Sequence, residues 1–191
     1  ISWAGNYLIN PWDDDGLVDI KQWPRFRAYL EQNGDRVKAR HTAAKAPDRW
    51  WKTIDRMTPG LRTTPKLLLP EMKASAHPVL DEGHYYPHHN LYYVTSSGWD
   101  LEVLGGLMLS DVANLFIGAY CVKMRGGTYR FQAQYLRRIR VPDPASLRPA
   151  DCKALVTAFG HRDVEAATGV ACRAYGVDRH VLSTGRRAEV A

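Results

Sequence analysis

The fold of this chain is decided by the stretch from Leu101 to Ala119, LEVLGGLMLSDVANLFIGA. Its large apolar residues recur at intervals of three, four and one, which places them on one buried face of an α-helix. They are Leu101, Leu104, Leu107, Met108, Val112, Leu115, Phe116 and Ala119. A turn at residues 96–98 precedes them, so we predict one helix that begins near Asp100 and forms the centre of the core.

Shorter elements are predicted on both sides of this helix, from β-branched and aromatic content, helical spacing and bounding Pro and Gly residues. The predicted strands cover residues 7–9, 65–70, 91–95 and 135–141, and the predicted helices cover 24–41, 146–159 and 163–175. The first of these helices should break near Asn33, and the last should end at Gly176. Together they indicate an α+β fold, with a mixed small β-sheet region packed on a central long helix and with a C-terminal helical subdomain.

Length and composition are those of an ordinary globular protein. The chain has 191 residues, of which 45% are hydrophobic and 24% are charged, and this length suits one main core. We expect a linker and first helix at residues 1–45, a central core at 46–144 and a C-terminal helical extension at 145–191. Because the chain begins at Ile1 instead of Met, we also expect a fragment of a longer polypeptide.

The cysteines and the hydropathy pattern indicate a cytoplasmic protein. Cys121, Cys152 and Cys172 are odd in number, widely spaced and without a CxxC pair, so we expect reduced thiols. No apolar run reaches the roughly 18 residues that a membrane span needs, and no signal segment opens the chain. We therefore expect no membrane partner.

A basic segment follows the predicted central helix, from Ala119 to Val141. Its cations, with no Asp or Glu among them, are Lys123, Arg125, Arg130, Arg137, Arg138 and Arg140. With the formal net charge of +6, they favour a polyanionic partner. At a major-groove edge Arg can fork onto guanine and Gln onto adenine, while other cations hold phosphates. The candidates for base edges are Arg125, Arg130, Gln132 and Gln134, and the candidate for phosphate is Lys123. The alternative interpretation is a solvated basic turn followed by an edge strand.

Further candidate contacts lie outside the basic segment. The cluster Arg49-Trp50-Trp51-Lys52 combines rings that can stack on bases with cations that can bind phosphate. Lys66, at the predicted exposed end of a strand, is another phosphate candidate. His84 and His88 precede the strand predicted at 91–95, and we expect them to make polar contacts near a binding surface.

Two clusters invite a metal hypothesis, and the spacing argues against both. Asp13-Asp14-Asp15-Gly16 is not followed by the ligand spacing of an EF-hand, so we interpret it as a solvated turn. His84, His88 and His89 lack the partner cluster that a four-ligand zinc site needs. We therefore predict no metal site.

The order of several stretches resembles one known family. They are RWWKTIDR at 49–56, PKLLLPEM at 65–72, DEGHYYPHHNLYYV at 81–94, LEVLGGLMLSDVANLF at 101–116 and MRGGTYRFQAQYLRRIRVPDP at 124–144. They look like the TaqI-like C-terminal specificity domain, the target-recognition part of adenine-specific DNA methyltransferases, including type IIG restriction-modification enzymes. WPRFRAYL at 23–30 and CRAYGVD at 172–178 resemble the first and terminal helices of such proteins, so the resemblance covers nearly the whole chain.

The resemblance implies double-stranded DNA as a partner and a bacterial S-adenosylmethionine-dependent DNA adenine methyltransferase as the parent protein. In that family an N-terminal methyltransferase domain of the same chain binds S-adenosylmethionine and methylates a flipped adenine, while this part reads the DNA. It further implies that residues 50–52, Lys66, residues 84–90 and residues 125–134 line one cleft facing the major groove. Arg49, Lys52 and Lys66 are then phosphate contacts.

No catalytic residue is predicted in this chain. We find no Gly-rich cofactor loop after a strand and no Asn/Asp-Pro-Pro-aromatic motif, so we expect no cofactor in the fragment itself. Asn10-Pro11-Trp12 lacks the second Pro, and we interpret it as structural. Two alternatives stay open. One is a nuclease that uses Asp81, Glu82 and a nearby Lys. The other is a protein–protein interaction module of a larger DNA-modifying or phage-defence complex, docking through Trp50, Trp51 and the tyrosines.

Overall fold

The computed structural model describes residues 5–180 and residue 182. Within these residues helices alternate with short antiparallel strands, which confirms the α+β class. The chain divides into two compact units, the first ending at Gly60 and the second beginning at Leu61. The tryptophan cluster belongs to the first unit, and the C-terminal helices pack within the second.

The first unit is built from short helices. They are α1 (Pro24–Gln32), α2 (Gly34–Lys38) and α3 (His41–Lys45). The break at Asn33 is confirmed, whereas α3 lies at the end of the predicted helix and was not expected as a separate element. Residues 7–9 form no strand, so the prediction there is wrong. The β-type pairing closest to them in the described chain is an isolated bridge between Trp12 and Leu17. Trp51 ties the end of this unit to its beginning, since its indole N–H donates to the Val18 carbonyl at 3.0 Å.

Two three-stranded antiparallel sheets lie in the second unit. Their strands are β1 (Lys66–Pro70), β2 (Met72–Lys73), β3 (Val79–Asp81), β4 (Leu91–Val94), β5 (Val122–Lys123) and β6 (Tyr129–Arg130). The first sheet has the order β3-β1-β4 and the second has the order β2-β6-β5. The strands predicted at 65–70 and 91–95 are therefore confirmed as β1 and β4. Because β1 leads into β2 through Glu71 alone, that residue is the link between the two sheets.

The central apolar stretch forms two helices, α4 (Leu101–Leu109) and α5 (Asp111–Tyr120), bent by 67°. The prediction of one helix is wrong at Ser110, whose buried hydroxyl donates to the Leu107 carbonyl at 2.6 Å and accepts from the Ala113 amide. Ser therefore caps α5 with its side chain instead of continuing α4. In the described part of the chain no single helix is long and apolar enough to cross a membrane. The bent pair α4 and α5 reaches the length and hydropathy of a span only when the two helices are counted together.

The C-terminal helices α7 (Pro149–His161) and α8 (Val164–Tyr175) are confirmed, and Gly176 follows α8 in the left-handed conformation. Leu104 and Met108 of α4 pack against β1, while its Val103 and Leu107 pack in a cluster with residues of α7 and α8. Gly106 permits this close approach, because a Cβ there would lie 2.6 Å from the Leu155 carbonyl oxygen. α4 is thus the shared wall between the first sheet and the helical layer.

A short helix, α6 (Ala133–Leu136), stands where a strand was predicted at 135–141. The prediction is wrong because residues 135–139 continue a series of turn hydrogen bonds, such as Ile139 to Leu136, instead of pairing with another strand. Leu136 and Ile139 both pack against the buried clusters around α4 and α5. Helical spacing, three residues apart, therefore brings them to one side where strand alternation would have separated them.

An ion-pair cluster joins α7 to α8 and gives a pH-dependent contribution to stability. The nearly buried Asp151 carboxylate accepts from Arg148 Nε at 2.7 Å and from Arg173 Nη2 at 2.8 Å. The hydrogen bond from Arg148, and then that from Arg173, holds the pKa of Asp151 below its ordinary value. The unfolded chain consequently takes up a proton on this carboxyl at a pH where the folded chain does not.

We expect the free energy of unfolding to fall as the pH drops below the ordinary Asp value of about 3.9. Asp151→Asn removes one group with a lowered pKa, so the variant should start less stable at neutral pH and lose less stability on acidification. Urea denaturation over a pH series measures both quantities. Glu102→Gln, at an exposed position of α4, is the matched control. Equal pH slopes for Asp151→Asn and the unmodified chain would contradict this assignment.

Candidate nucleic-acid interface

The second sheet presents an outward-facing row of side chains. In its register Arg130 of β6 pairs with Met72 of β2 on one side and with Val122 of β5 on the other. Directly opposed residues of antiparallel strands project from the same face. Met72, Arg130 and Val122 therefore form one row, which we call the outer row.

Strand alternation determines that the outer row faces solvent. Tyr129 and Phe131, which flank Arg130 in the chain, pack in a cluster with the buried Ile117 of α5, and Phe131 is 0% exposed. The alternate residue Arg130 thus projects away from the core. Met72 is 55% and Val122 46% exposed, although both are apolar. A cation between two exposed apolar side chains is a surface that suits a partner with both polar and apolar groups.

Arg130 is held in one orientation by Glu71. Its Nε and Nη2 atoms each lie 2.9 Å from the same carboxylate oxygen, Glu71 Oε1. The Glu71 side chain is 22% exposed and the Arg130 side chain 47%, so the acid lies deeper than the guanidinium. The predicted base contact Arg130 is therefore at the surface, but its charge is paired.

Glu71 also joins the loop before β4 to the second sheet through its backbone. Its amide donates to the Asn90 carbonyl at 2.9 Å, and its carbonyl accepts from the Phe131 amide at 2.7 Å. The loop containing His84 and His88 consequently ends beside the outer row. Both histidines are exposed, and His88 Nδ1 accepts from the Asn90 amide at 3.4 Å.

The turn between β5 and β6 carries two more of the predicted residues. Met124 donates to the Thr128 carbonyl at 2.7 Å, which closes the turn, and Gly126 and Gly127 have φ values of 81° and 74°. These left-handed values favour glycine at both positions. Lys123 and Arg125 are exposed on this hairpin. The Gly pair between cations in the sequence therefore corresponds to a reverse turn in the structure.

Gln132 and Gln134 follow the hairpin at the beginning of α6. Gln134 Nε2 donates to Gln132 Oε1 at 3.4 Å, so the two amides lie together. Gln134 is exposed and Gln132 is partly exposed. The hairpin, Arg130 and both glutamines thus follow one another along the chain, and all are at least partly exposed.

Lys66 does not belong to this surface, and its prediction as an exposed phosphate contact is wrong. Its side chain is 0% exposed, and its ammonium lies 2.6 Å from Asp81 Oδ2 and 2.8 Å from the Thr64 carbonyl. Burial alone would raise the pKa of the Asp81 carboxyl, but hydrogen bonds from Lys66 and from the His84 amide outweigh it and lower the pKa. The pair is a structural anchor beneath the 84–90 loop.

The burial of Asp81 also removes the nuclease alternative, because a carboxylate that is 2% exposed and bonded to a lysine is not open to a phosphodiester. Within the described ranges no three His, Cys, Asp or Glu side chains are placed to hold a metal ion. The rings of His88 and His89 lie 4.1 Å apart and contact each other.

The remaining predicted contacts, Arg49, Trp50 and Lys52, lie in the first unit. Arg49 is exposed, whereas Trp50 lies under the Lys38 ammonium at 4.9 Å and Lys52 lies 5.9 Å from the Trp12 ring. Asn10 has a local role, since its amide exchanges two hydrogen bonds with the Trp12 backbone. That geometry supports the structural interpretation of Asn10-Pro11-Trp12.

Two of the arginines after α6 make internal contacts, Arg138 through its guanidinium and Arg140 through its backbone. Arg138 stacks over the Tyr120 ring at 3.9 Å, and the Arg140 carbonyl accepts from the Tyr175 hydroxyl at 2.6 Å. Burial raises the pKa of Tyr175 to about 12. The Arg138 guanidinium therefore covers Tyr120, the last residue of α5.

Sequence reasoning missed three residues of this surface: Glu71, Met72 and Val122. Lys73 and Lys123 lie on the two edge strands and both pair with Tyr129, so they project from the face opposite to the outer row, and both are exposed. A local signal for this segment is the acid and the cation that follow Pro70 in the sequence PEMK, residues 70–73. Pairing across almost sixty residues, however, cannot be read from local pattern.

Comparison with known proteins gives strong similarity to one enzyme class. The chain is 47% identical to the Type II methyltransferase M.XhoI of Xanthomonas vasicola over 188 residues, which are 96% of this chain and 34% of that protein. It is 48% identical to the Type II methyltransferase M.PaeR7I of Pseudomonas aeruginosa over 184 residues, 96% of this chain and 32% of that protein. This chain is related to part of type II methyltransferases.

A third relative extends the range of organisms. The Type II methyltransferase M.BstVI of Geobacillus stearothermophilus is 47% identical over 148 residues, which are 77% of this chain and 26% of that protein. The chain thus spans about one third or less of the length of these curated relatives. No protein-family model matches it.

Proposed function

We propose that this chain is the DNA target-recognition part of a bacterial adenine-specific methyltransferase, of the TaqI-like specificity type. The observation that carries the proposal is the outer row, in which an oriented arginine projects between exposed apolar side chains beside a cationic hairpin. A two-stranded β-ribbon has the dimensions to enter a DNA major groove. The similarity to methyltransferases makes double-stranded DNA the fitting polyanion.

In this proposal the exposed cations on the edge strands of the second sheet, which start from the face opposite to the outer row, reach around the sheet edges to phosphates. The outer row and the polar residues after it read bases. Lys73 and Lys123 are the phosphate contacts in the second unit, while Arg49 and Lys52 keep that proposed role in the first. Arg125, Arg130, Gln132 and Gln134 contact base edges. Trp50, His84 and His88 contribute stacking or polar contacts.

The methyl transfer belongs to the remainder of the parent protein. That remainder, an N-terminal methyltransferase domain in the proposed arrangement, binds S-adenosylmethionine and holds the flipped adenine. The present chain supplies sequence discrimination, in the bacterial cytoplasm where the DNA lies, and a type IIG parent would add DNA cleavage.

The salt dependence of DNA binding tests this proposal. Affinity of the 191-residue chain for a non-specific duplex, followed by fluorescence anisotropy, should fall steeply between about 50 and 200 mM salt, because each phosphate contact releases counterions. Lys123→Ala should reduce the slope of log affinity against log salt by about one. Lys153→Ala, which removes an exposed cation from α7, is the matched control and should leave the slope unchanged.

The alternative of a protein-interaction module makes the opposite prediction. An apolar groove of about 400 Å³, lined among others by Tyr92, Trp99, Leu136 and Ile139, favours it as a surface for another protein segment. Binding through such a groove depends little on salt. Absence of DNA binding, or a slope that is equal for Lys123→Ala and the unmodified chain, would therefore overturn the DNA-reading proposal.

A further inference from the structure

Glu71 and Arg130 have a geometry that suits recognition of one particular base. Both Nε and Nη2 of the guanidinium are directed at a single oxygen of Glu71. A guanidinium has five N–H donors in a fixed plane, so this pairing leaves the Nη1 group and the second hydrogen of Nη2 available for another acceptor. Because the Glu71 side chain is less exposed than that of Arg130, we infer that the available edge faces solvent.

The available edge matches guanine and rejects adenine. Guanine presents two acceptors, N7 and O6, at the major-groove edge, and these accept a forked pair of donors. Adenine presents N7 beside the N6 amino group, so one donor of the fork would meet another donor. A guanidinium already fixed in its plane cannot rotate to avoid that conflict, which makes the fixed fork more selective than a free one.

The carboxylate also decides between base and phosphate as the ligand of Arg130. A phosphate is drawn to uncompensated positive charge, whereas the Arg130 charge is neutralised by a contact of 2.9 Å. The uncharged acceptors of a base have no such repulsion from Glu71. Met72 and Val122 lie on both sides of Arg130, and when covered they exclude water, which strengthens a correct hydrogen bond and the penalty of a wrong one.

We propose that Glu71 and Arg130 act as one recognition unit for a guanine, in which Glu71 positions the guanidinium and suppresses its use as a phosphate contact. This inference rests on the proposed DNA-reading function and goes beyond it by naming the base and a positioning residue. Arg130 touches the base, and Glu71 acts only through Arg130.

Selection of bound duplexes from a randomised library, with the purified chain, tests the recognition unit. The unmodified chain should enrich guanine at one position. Arg130→Ala should lower the preference for guanine there by roughly 5- to 150-fold, the discrimination typical of a bidentate contact. Arg130→Lys keeps the charge and loses the fork, so it should lose the preference but retain binding to non-specific DNA.

Glu71→Gln separates positioning from a merely structural role. With the carboxylate removed, Arg130 becomes free to contact phosphates, so guanine enrichment should fall while non-specific affinity and the salt slope rise, the slope by up to about one. Glu102→Gln makes the same charge change on α4 and should alter neither enrichment nor slope. A folding defect in Glu71→Gln would lower affinity for every sequence, and Arg130→Lys then still decides the question.

The outcomes distinguish this inference from the proposed function. If the unmodified chain enriches guanine and both Glu71→Gln and Arg130→Lys enrich it equally well, the recognition unit is refuted and the DNA-reading function stands. If the unmodified chain binds no duplex, both are refuted. Loss of enrichment in Arg130→Lys, with a steeper salt slope in Glu71→Gln, supports the inference.

Discussion

Replacing Lys66 with Met should lower the free energy of unfolding by about 3–5 kcal/mol, the usual cost of breaking a buried ion pair from one side. The ammonium and Asp81 Oδ2 are 2.6 Å apart and both are removed from solvent. Met fills the space of the aliphatic stem but leaves the Asp81 carboxylate buried without its cation. The hydrogen bond from Lys66 to the Thr64 carbonyl is lost at the same time.

Chemical denaturation at neutral pH measures this loss directly. Lys73→Met makes the same exchange at an exposed position of β2 and should change stability by less than about 0.5 kcal/mol. The Lys66 variant should also recover part of its stability as the pH falls toward about 4, because the buried Asp81 carboxyl without its cation takes up a proton in the folded chain at a higher pH than in the unfolded chain, where the Asp pKa is about 3.9. A loss under 1 kcal/mol for Lys66→Met would show that the pair is not the anchor described here.

Phe131→Ala is expected to have a similar cost, about 3–5 kcal/mol, because it empties a fully buried site. Phe131 follows β6 directly and packs with Ile117, Cys121 and Ala76, so it fastens the second sheet to α5. Removing the ring takes away both transfer energy and the contacts that keep the outer row turned outward.

Hydrogen exchange distinguishes a local from a global effect of that change. Amides of β5 and β6 should exchange faster in Phe131→Ala than in a control, Met72→Ala, which removes an exposed side chain from the same sheet. Amides of α4, which lies in the other buried clusters, should exchange faster only by the amount that the global loss of stability explains. Equal exchange in β6 for the two variants would contradict the role of Phe131 as the fastener.

Periodicity predicted the buried Leu104, Leu107 and Met108 of α4, but neither the break at Ser110 nor the buried face of α5. In α5 the predicted core residues Leu115 and Ala119 are exposed, and Ala113 and Ile117 are buried instead. The apolar spacing continues through Ser110, and a single buried hydroxyl decides that α4 ends there. Lys66 illustrates a second limit. A lysine at the end of a strand is expected to be exposed. Lys66 is buried because the register of β1 and β3 places it directly opposite Asp81. Both errors arise from tertiary partners, which local pattern does not contain.

The cations of the candidate surface could be predicted from the sequence, whereas its acidic residue, Glu71, could not. Arg125, Arg130 and the glutamines follow one another in the chain, so composition alone draws attention to them. Glu71 comes from a segment 59 positions away and joins them only when β2 pairs with β6. The absence of acids within the basic segment therefore did not mean that its arginines lack acidic partners in the folded chain.

The double use of the Glu71 backbone has a consequence for how a target would be read. Its amide holds the end of the 84–90 loop and its carbonyl holds Phe131, so a displacement of either segment reaches the Arg130 side chain through one residue. On the proposed function, neighbouring base pairs would not be scored independently. A mismatch under the loop and a mismatch under Arg130 should together cost a different amount from the sum of the two, a non-additivity that double-mismatch duplexes measure.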